Sequence, residues 1–306
     1  MRRHLVLVTA VALLCLVGCA GPPPIVDMTP RFSQGTSRVE SVQMFATLDL
    51  PLIDLSTHVG FSWNATVLSA GPQGTTIEAA VTRALVDIPG ITVDTDSIIP
   101  FGSLGVGALF FELIGARFRY VIDPMGQVSV TGWSAALAGA ASAAEVIVPD
   151  DGSVPPEEEL AAALTRVYSV LPRRQIALEE GWNRPSAYQL ANADGPKIES
   201  TDAYAYTGFG EETFDFGSDD VTIEGLAAPF RGQPEVVIPG VAFYGLVDLQ
   251  MGRRSGDILL NERGDTIRLY REVDTMSLSP AQALDLDVDL ANLDTGWIFH
   301  APRDWR

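Results

Sequence analysis

Cysteine is nearly absent from this chain. Cys15 and Cys19 are its only two, and both precede Ala20, so no disulfide is available to the rest of the chain and stability must come from packing. Lysine is scarcer still, with Lys197 the sole example. Twenty basic residues face 39 acidic ones, a formal net charge of −19, and that balance repels nucleic acid and anionic lipid surfaces. Histidine is limited to His4, His58 and His300. Neither His58 nor His300 has a cysteine or a second histidine at ligand spacing, which excludes a zinc site. No apolar run after Leu16 approaches the roughly 20 residues that span a bilayer. What the chain does have is apolar substance: 47% of its 306 residues are hydrophobic, enough for a sizeable core.

The start is organised differently. Basic Met1-Arg2-Arg3-His4 precedes an apolar run from Leu5 to Leu16, too short to span and shaped like a signal peptide covering residues 1–18. Its end, Leu16-Val-Gly-Cys19, resembles the lipobox of bacterial lipoproteins. The resemblance implies that Cys19 receives a diacylglyceryl thioether and an N-acyl chain, which suffices for stable anchoring. It places the chain on the extracytoplasmic side of a bacterial plasma or outer membrane. Loss of Arg2 and Arg3 with the leader makes the protein more acidic still. From Cys19 to Arg38, Gly21-Pro22-Pro23-Pro24 and aperiodic polar residues read as an extended tether.

Residues 39–306 read as one β-rich domain of two related halves. A constant offset pairs Leu50-Pro51 with Leu171-Pro172, Gly60-Phe61 with Gly181-Trp182, and Ile77-Glu78 with Ile198-Glu199. At a longer offset, Arg119-Tyr-Val-Ile-Asp-Pro-Met-Gly126 matches Asp257-Ile-Leu-Leu-Asn-Glu-Arg-Gly264. Each is a strand followed by a tight turn, opened by Asp123 or Asn261 and closed by a glycine at positive φ. The extra length of the second copy falls between Gly208 and Gly240, as a long hairpin or loop. The halves span about 45–131 and 171–275, joined by a helical segment at 133–170. Within that segment Pro155-Pro156-Glu157-Glu158-Glu159 starts a helix, with carboxylates where its dipole favours them, and Leu160, Leu164, Val167 and Leu171 follow on one face. Strict alternation from Leu284 to Leu290 reads as a half-buried strand. The fold class is therefore mainly β (α+β): a pseudo-duplicated, curved antiparallel sheet or half-barrel with one or two connecting helices.

Leu171, Pro172, Gly181, Trp182, Tyr188, Leu190, Asp194, Gly195 and Ile198 form an order that resembles a broad set of uncharacterised bacterial envelope lipoproteins. A more distant likeness is to lipoprotein carriers in which a curved sheet holds a helix in its hollow. These resemblances imply a half-barrel with an apolar concavity. They supply no catalytic residues.

The constellations that carry chemistry elsewhere are incomplete here. Asp54, His58 and Ser62 have the types of a nucleophilic triad, but the Gly-x-Ser-x-Gly elbow is missing. Asp285 to Asp294 lacks the glycine and the closing glutamate of a calcium loop. The expectation is a non-enzymatic binding or carrier module, without cofactor or metal, for an apolar small molecule or lipid of the envelope. Its ligand hollow would be lined by Trp63, Trp182, Leu160, Leu164 and Val167, residue types that equally serve core packing. The alternatives are an assembly partner of another envelope protein and, more remotely, a hydrolase.

Overall fold

The computed structural model describes residues 24–50, 53–96, 106–148, 154–189, 197–234, 236–242, 247–280 and 290–306. Cys19 and the leader lie outside the described residues, as does the expected strand from Leu284 to Asp289.

A 15-stranded antiparallel sheet, curved and not closed into a barrel, forms the body. From one edge it runs through β7 (Val128–Thr131), β6 (Arg117–Ile122), β4 (Gly74–Ile88) and β3 (Ile53–Gly71). The central pair is β2 (Ser37–Leu50) and β17 (Ala291–His300). Beyond it come β16 (Ile267–Pro280), β15 (Val247–Leu260), β13 (Phe230–Gly232), β10 (Lys197–Ala205) and β9 (Gly181–Gln189). The segments matched in the sequence thus occur in one order on both sides of the centre, with β13 interposed in the second half. The two matched turns are built alike: the Gly126 amide donates to the Asp123 carbonyl at 3.0 Å and the Gly264 amide to that of Asn261 at 2.8 Å. Both glycines have positive φ, 88° and 76°, a conformation that a β-branched residue resists.

The inner face carries the main core. β6 alternates strictly, burying Phe118, Tyr120 and Ile122, as period-2 geometry requires. Among the described residues, three helices cover this face: α1 (Val106–Glu112), α2 (Trp133–Ala143) and α3 (Glu157–Ser169). α3 begins after Pro156, buries Leu160, Leu164, Val167 and Tyr168, and leaves Glu158 and Glu159 exposed. α1 was not expected; seven residues with an internal glycine give too little periodicity to announce a helix.

Part of the segment expected as an extended tether, residues 25–38, is folded. From Ile25 the chain is folded: β1 (Ile25–Asp27) pairs with β8 (Gln175–Ala177), Val26 and Met28 are buried, and Phe32 packs edge-on against Tyr168 and Trp305. Apolar residues between the polar ones, rather than composition as a whole, decide this boundary.

Two buried charge clusters pin α3 to the sheet. In the first, Glu40 accepts bonds from Arg38, Trp63, Tyr120 and Tyr168 at 2.6 to 3.0 Å. In the second, the Arg254 guanidinium reaches Asp202 at 3.1 Å, Glu272 at 2.6 Å and Asp274 at 3.2 Å, while Arg166 of α3 takes the other Glu272 oxygen at 2.6 Å. The Tyr270 hydroxyl also donates to Glu272. Paired in this way, buried charges are tolerable; unpaired, they are not.

Candidate functional site: a polar row beneath a hairpin

The outer face of the central strands is buried too. Four consecutive residues of β2, Glu40, Ser41, Val42 and Gln43, are all buried, so both sides of the pleat are occupied. The cover is the hairpin of β11 (Gly208–Phe216) and β12 (Asp219–Ala227), the expected insertion, which folds back over the sheet. Phe214 and Ile223 of this hairpin pack with Leu259, Leu269 and Ile298. At its tip Phe216 lies over Gly60, where a Cβ would sit 2.7 Å from the ring. Glycine at that strand position is what lets the aromatic ring descend.

Strand register then assembles four polar side chains that the sequence scatters. His300 is opposite Ser41, Ser41 opposite Ser62, and Ser62 opposite Arg83, across β17, β2, β3 and β4. At about 4.8 Å per strand the row is about 14 Å long. Ser41 and Ser62 share a hydroxyl bond of 2.8 Å. Arg83 closes one end: its guanidinium grips Asp94 with two bonds of 3.0 and 2.8 Å, holds Asp219 of the hairpin tip at 2.7 Å, and stacks on Phe216 with its carbon 4.8 Å from the ring centre. Asp94 belongs to β5 (Ile91–Asp94), so one arginine ties sheet, edge strand and hairpin together.

Between hairpin and row lies an open cavity of about 330 Å³, lined by Val39, Ser41, Ser62, Arg83, Phe216 and His300, together with Asp96, Asp219, Val221 and Pro302. His300 is 4% exposed, its ring packs edge-on against Phe214 and Phe216, and neither nitrogen has a hydrogen-bond partner among the described residues. Burial holds its pKa down to about 4, so the imidazole is neutral at ordinary pH and offers one donor and one acceptor.

The triad types noted in the sequence are separated. His58 Nε2 bonds the Gln43 side chain at 2.7 Å and Ser62 turns to Ser41. Trp63, Trp182, Leu160, Leu164 and Val167 all sit in the inner-face core and do not line the cavity. The Trp63 indole donates to Glu40 at 3.0 Å, and that of Trp182 donates to the Val170 carbonyl at 2.9 Å while stacking on Tyr204. These side chains, expected to line a hollow beneath α3, are buried together in one apolar cluster. Sequence reasoning missed the outer row because register, and not spacing, brings it together. A faint signal was present: Glu40, Ser41 and Gln43 interrupt the apolar pattern in a strand otherwise suited to a core.

His300 and the Arg254 cluster predict opposing pH effects. His300 has a folded pKa of about 4 against an unfolded value near 6.5, so its contribution is present above pH 6.5 and is lost as pH falls toward 4. Burial raises the Asp274 pKa to about 6 despite Arg254, and its penalty is relieved as pH falls from 6 to about 4. Each effect is on the order of 3 kcal/mol. In urea titrations, His300→Phe is expected to gain stability relative to wild type between pH 7 and 4.5, and Asp274→Asn to lose it. Parallel profiles for all three proteins would refute the assignment.

No protein family model matches the chain, and no curated relative does. Among solved structures, lipovitellin, studied for its lipid–protein interactions, aligns over 90% of this chain with a TM-score of 0.41 and 8% identity. This chain spans only 26% of the lipovitellin chain. DynF from the dynemicin pathway of Micromonospora chersina covers 94% of this chain and 91% of its own, at TM-score 0.21 and 9% identity. An outer membrane channel from Pseudomonas putida F1 covers 88% and 96%, at TM-score 0.14 and 9% identity. Likeness at this level carries no functional argument. The class that the fold itself defines is an open, mainly antiparallel β-sheet protein with helices on one face and a hairpin-covered cavity on the other.

Proposed function

We propose that the protein is a membrane-tethered, extracytoplasmic binding module that holds a small amphipathic envelope molecule in the outer-face cavity and performs no chemistry on it. The observation that carries this reading is His300. An imidazole buried without a hydrogen-bond partner among the described residues costs free energy, and a bound molecule would satisfy it. Phe216, Val39, Val221 and Pro302 supply the apolar wall, and His300 with the serine pair supplies orientation, the usual division of labour in a ligand pocket. Acyl transfer from Ser41 is disfavoured: no carboxylate among the described residues bonds His300 to orient it, and an imidazole of such low pKa is a poor base.

The binding arm is tested with ¹⁵N-histidine-labelled protein titrated with an extract of its host's envelope. The His300 ring resonances should move while those of His58 stay; no movement of His300 contradicts the reading. The tether is tested separately. Cys19→Ala is expected to abolish incorporation of a palmitate analogue and to shift the protein to the soluble fraction after a high-salt wash, which strips peripheral electrostatic contacts. A variant that stays with the membrane after that wash would rule out a single lipid anchor.

A further inference from the structure

The charge around the cavity selects among ligands, an argument that rests on the binding reading above. Arg83 is the cation lining the cavity among the described residues, and its donors are directed at Asp94, Asp219 and the Phe216 carbonyl. An anion arriving there would have to break that clasp. Meanwhile Asp96 and Asp219, which also line the cavity, keep 61% and 60% of their side chains exposed to solvent, Asp219 holding Arg83 at 2.7 Å and Asp96 at 3.4 Å. His300, at the far end of the row, is uncharged and unpartnered among the described residues. The chain's net charge of −19 adds a field that attracts cations and repels anions at long range.

We propose that the cavity binds a compact organic cation, an amine with an apolar body, whose ammonium group lies beside Asp96 and Asp219 and whose body reaches past Phe216 toward the His300 imidazole. A volume of about 330 Å³ is at the small end of ligand sites and suits one ring-sized body. That is an aromatic or branched amine rather than a whole lipid. A neutral analogue would keep the apolar contacts and lose the charge attraction. An anionic one would lose both the attraction and access.

The test uses three probes with one body and different heads: 2-phenylethylamine, 2-phenylethanol and 3-phenylpropionate. Each is titrated calorimetrically into the full acylated chain in zwitterionic nanodiscs, with empty nanodiscs as reference. The amine is expected to bind about tenfold tighter than the alcohol, and the carboxylate weakest, with the preference shrinking at high salt. Asp96→Asn should bring the amine down toward the alcohol without lowering the melting temperature, since its contact with Arg83 is the long one. Asp219→Asn should do the same, with added loosening of the hairpin. His300→Phe should weaken all three probes together. Tighter binding of the carboxylate, or amine binding indifferent to both Asp96→Asn and His300→Phe, overturns the proposal. If no probe binds while envelope extract still moves the His300 resonances, the amine class is wrong and the binding site stands. If the extract also has no effect, both readings fall.

Discussion

Arg254→Leu is expected to cost at least about 5 kcal/mol, a third or more of the total stability of an ordinary protein. The guanidinium is fully buried and is shared by Asp202, Glu272 and Asp274. Removing one partner of a single buried pair already costs about 3–5 kcal/mol, because the remaining charge is left desolvated. Here three carboxylates would be left, with Arg166 engaged on Glu272 at 2.6 Å as the remaining cation in the cluster. Against a typical total stability of about 5–15 kcal/mol, that loss is large. Arg254→Lys keeps the charge but loses the planar fork, so it should fall between wild type and Arg254→Leu. Burial already raises the pKa values of Asp202 and Asp274, so acidification that protonates them should partly restore Arg254→Leu. Urea unfolding at pH 7 and pH 5 measures both effects. A loss under about 1 kcal/mol at pH 7 would mean that the cluster is not closed to solvent.

Leu164→Asp is expected to be of comparable severity. Leu164 is 0% exposed on the sheet-facing side of α3, in the same core as Trp63, Val167 and Trp182. Truncating a buried leucine costs about 2–5 kcal/mol through lost contacts and the cavity left behind, and an unpaired carboxylate adds its desolvation. Glu158→Ala, on the exposed face of the same helix, should change stability by no more than about 0.5 kcal/mol. Thermal unfolding of the two variants separates the readings of this helix. If Leu164→Asp melts near wild type, α3 covers a wet hollow and not a filled core.

These two residues show what the sequence disclosed and what it withheld. Leu164 was legible: its spacing from Leu160 and Val167 requires a helix face, and only burial makes use of that face. The paired turns at Asp123–Gly126 and Asn261–Gly264 were legible for the same kind of reason, since each turn needs those residue types locally. Arg254 was not. On a strand with period-2 alternation an arginine reads as solvent-facing; Glu272 and Asp274 lie on β16, the partner strand of the same hairpin, but Asp202 comes from β10, 52 residues away. His300 was visible only as an isolated histidine. Its meaning depends on β17 returning from the end of the chain to pair with β2, a pairing of long sequence separation that no local pattern announces. Long-range register also explains why Ser62, weighed in the sequence beside His58, bonds in the structure to Ser41.

The central claim is that the outer-face cavity, and not the space beneath α3, holds a ligand. Native mass spectrometry of the protein extracted from its own host tests it most directly. Wild type is predicted to carry one small-molecule adduct per chain, and folded His300→Phe to carry none. An adduct retained at full occupancy by His300→Phe, or a wild-type protein that is bare, would contradict it.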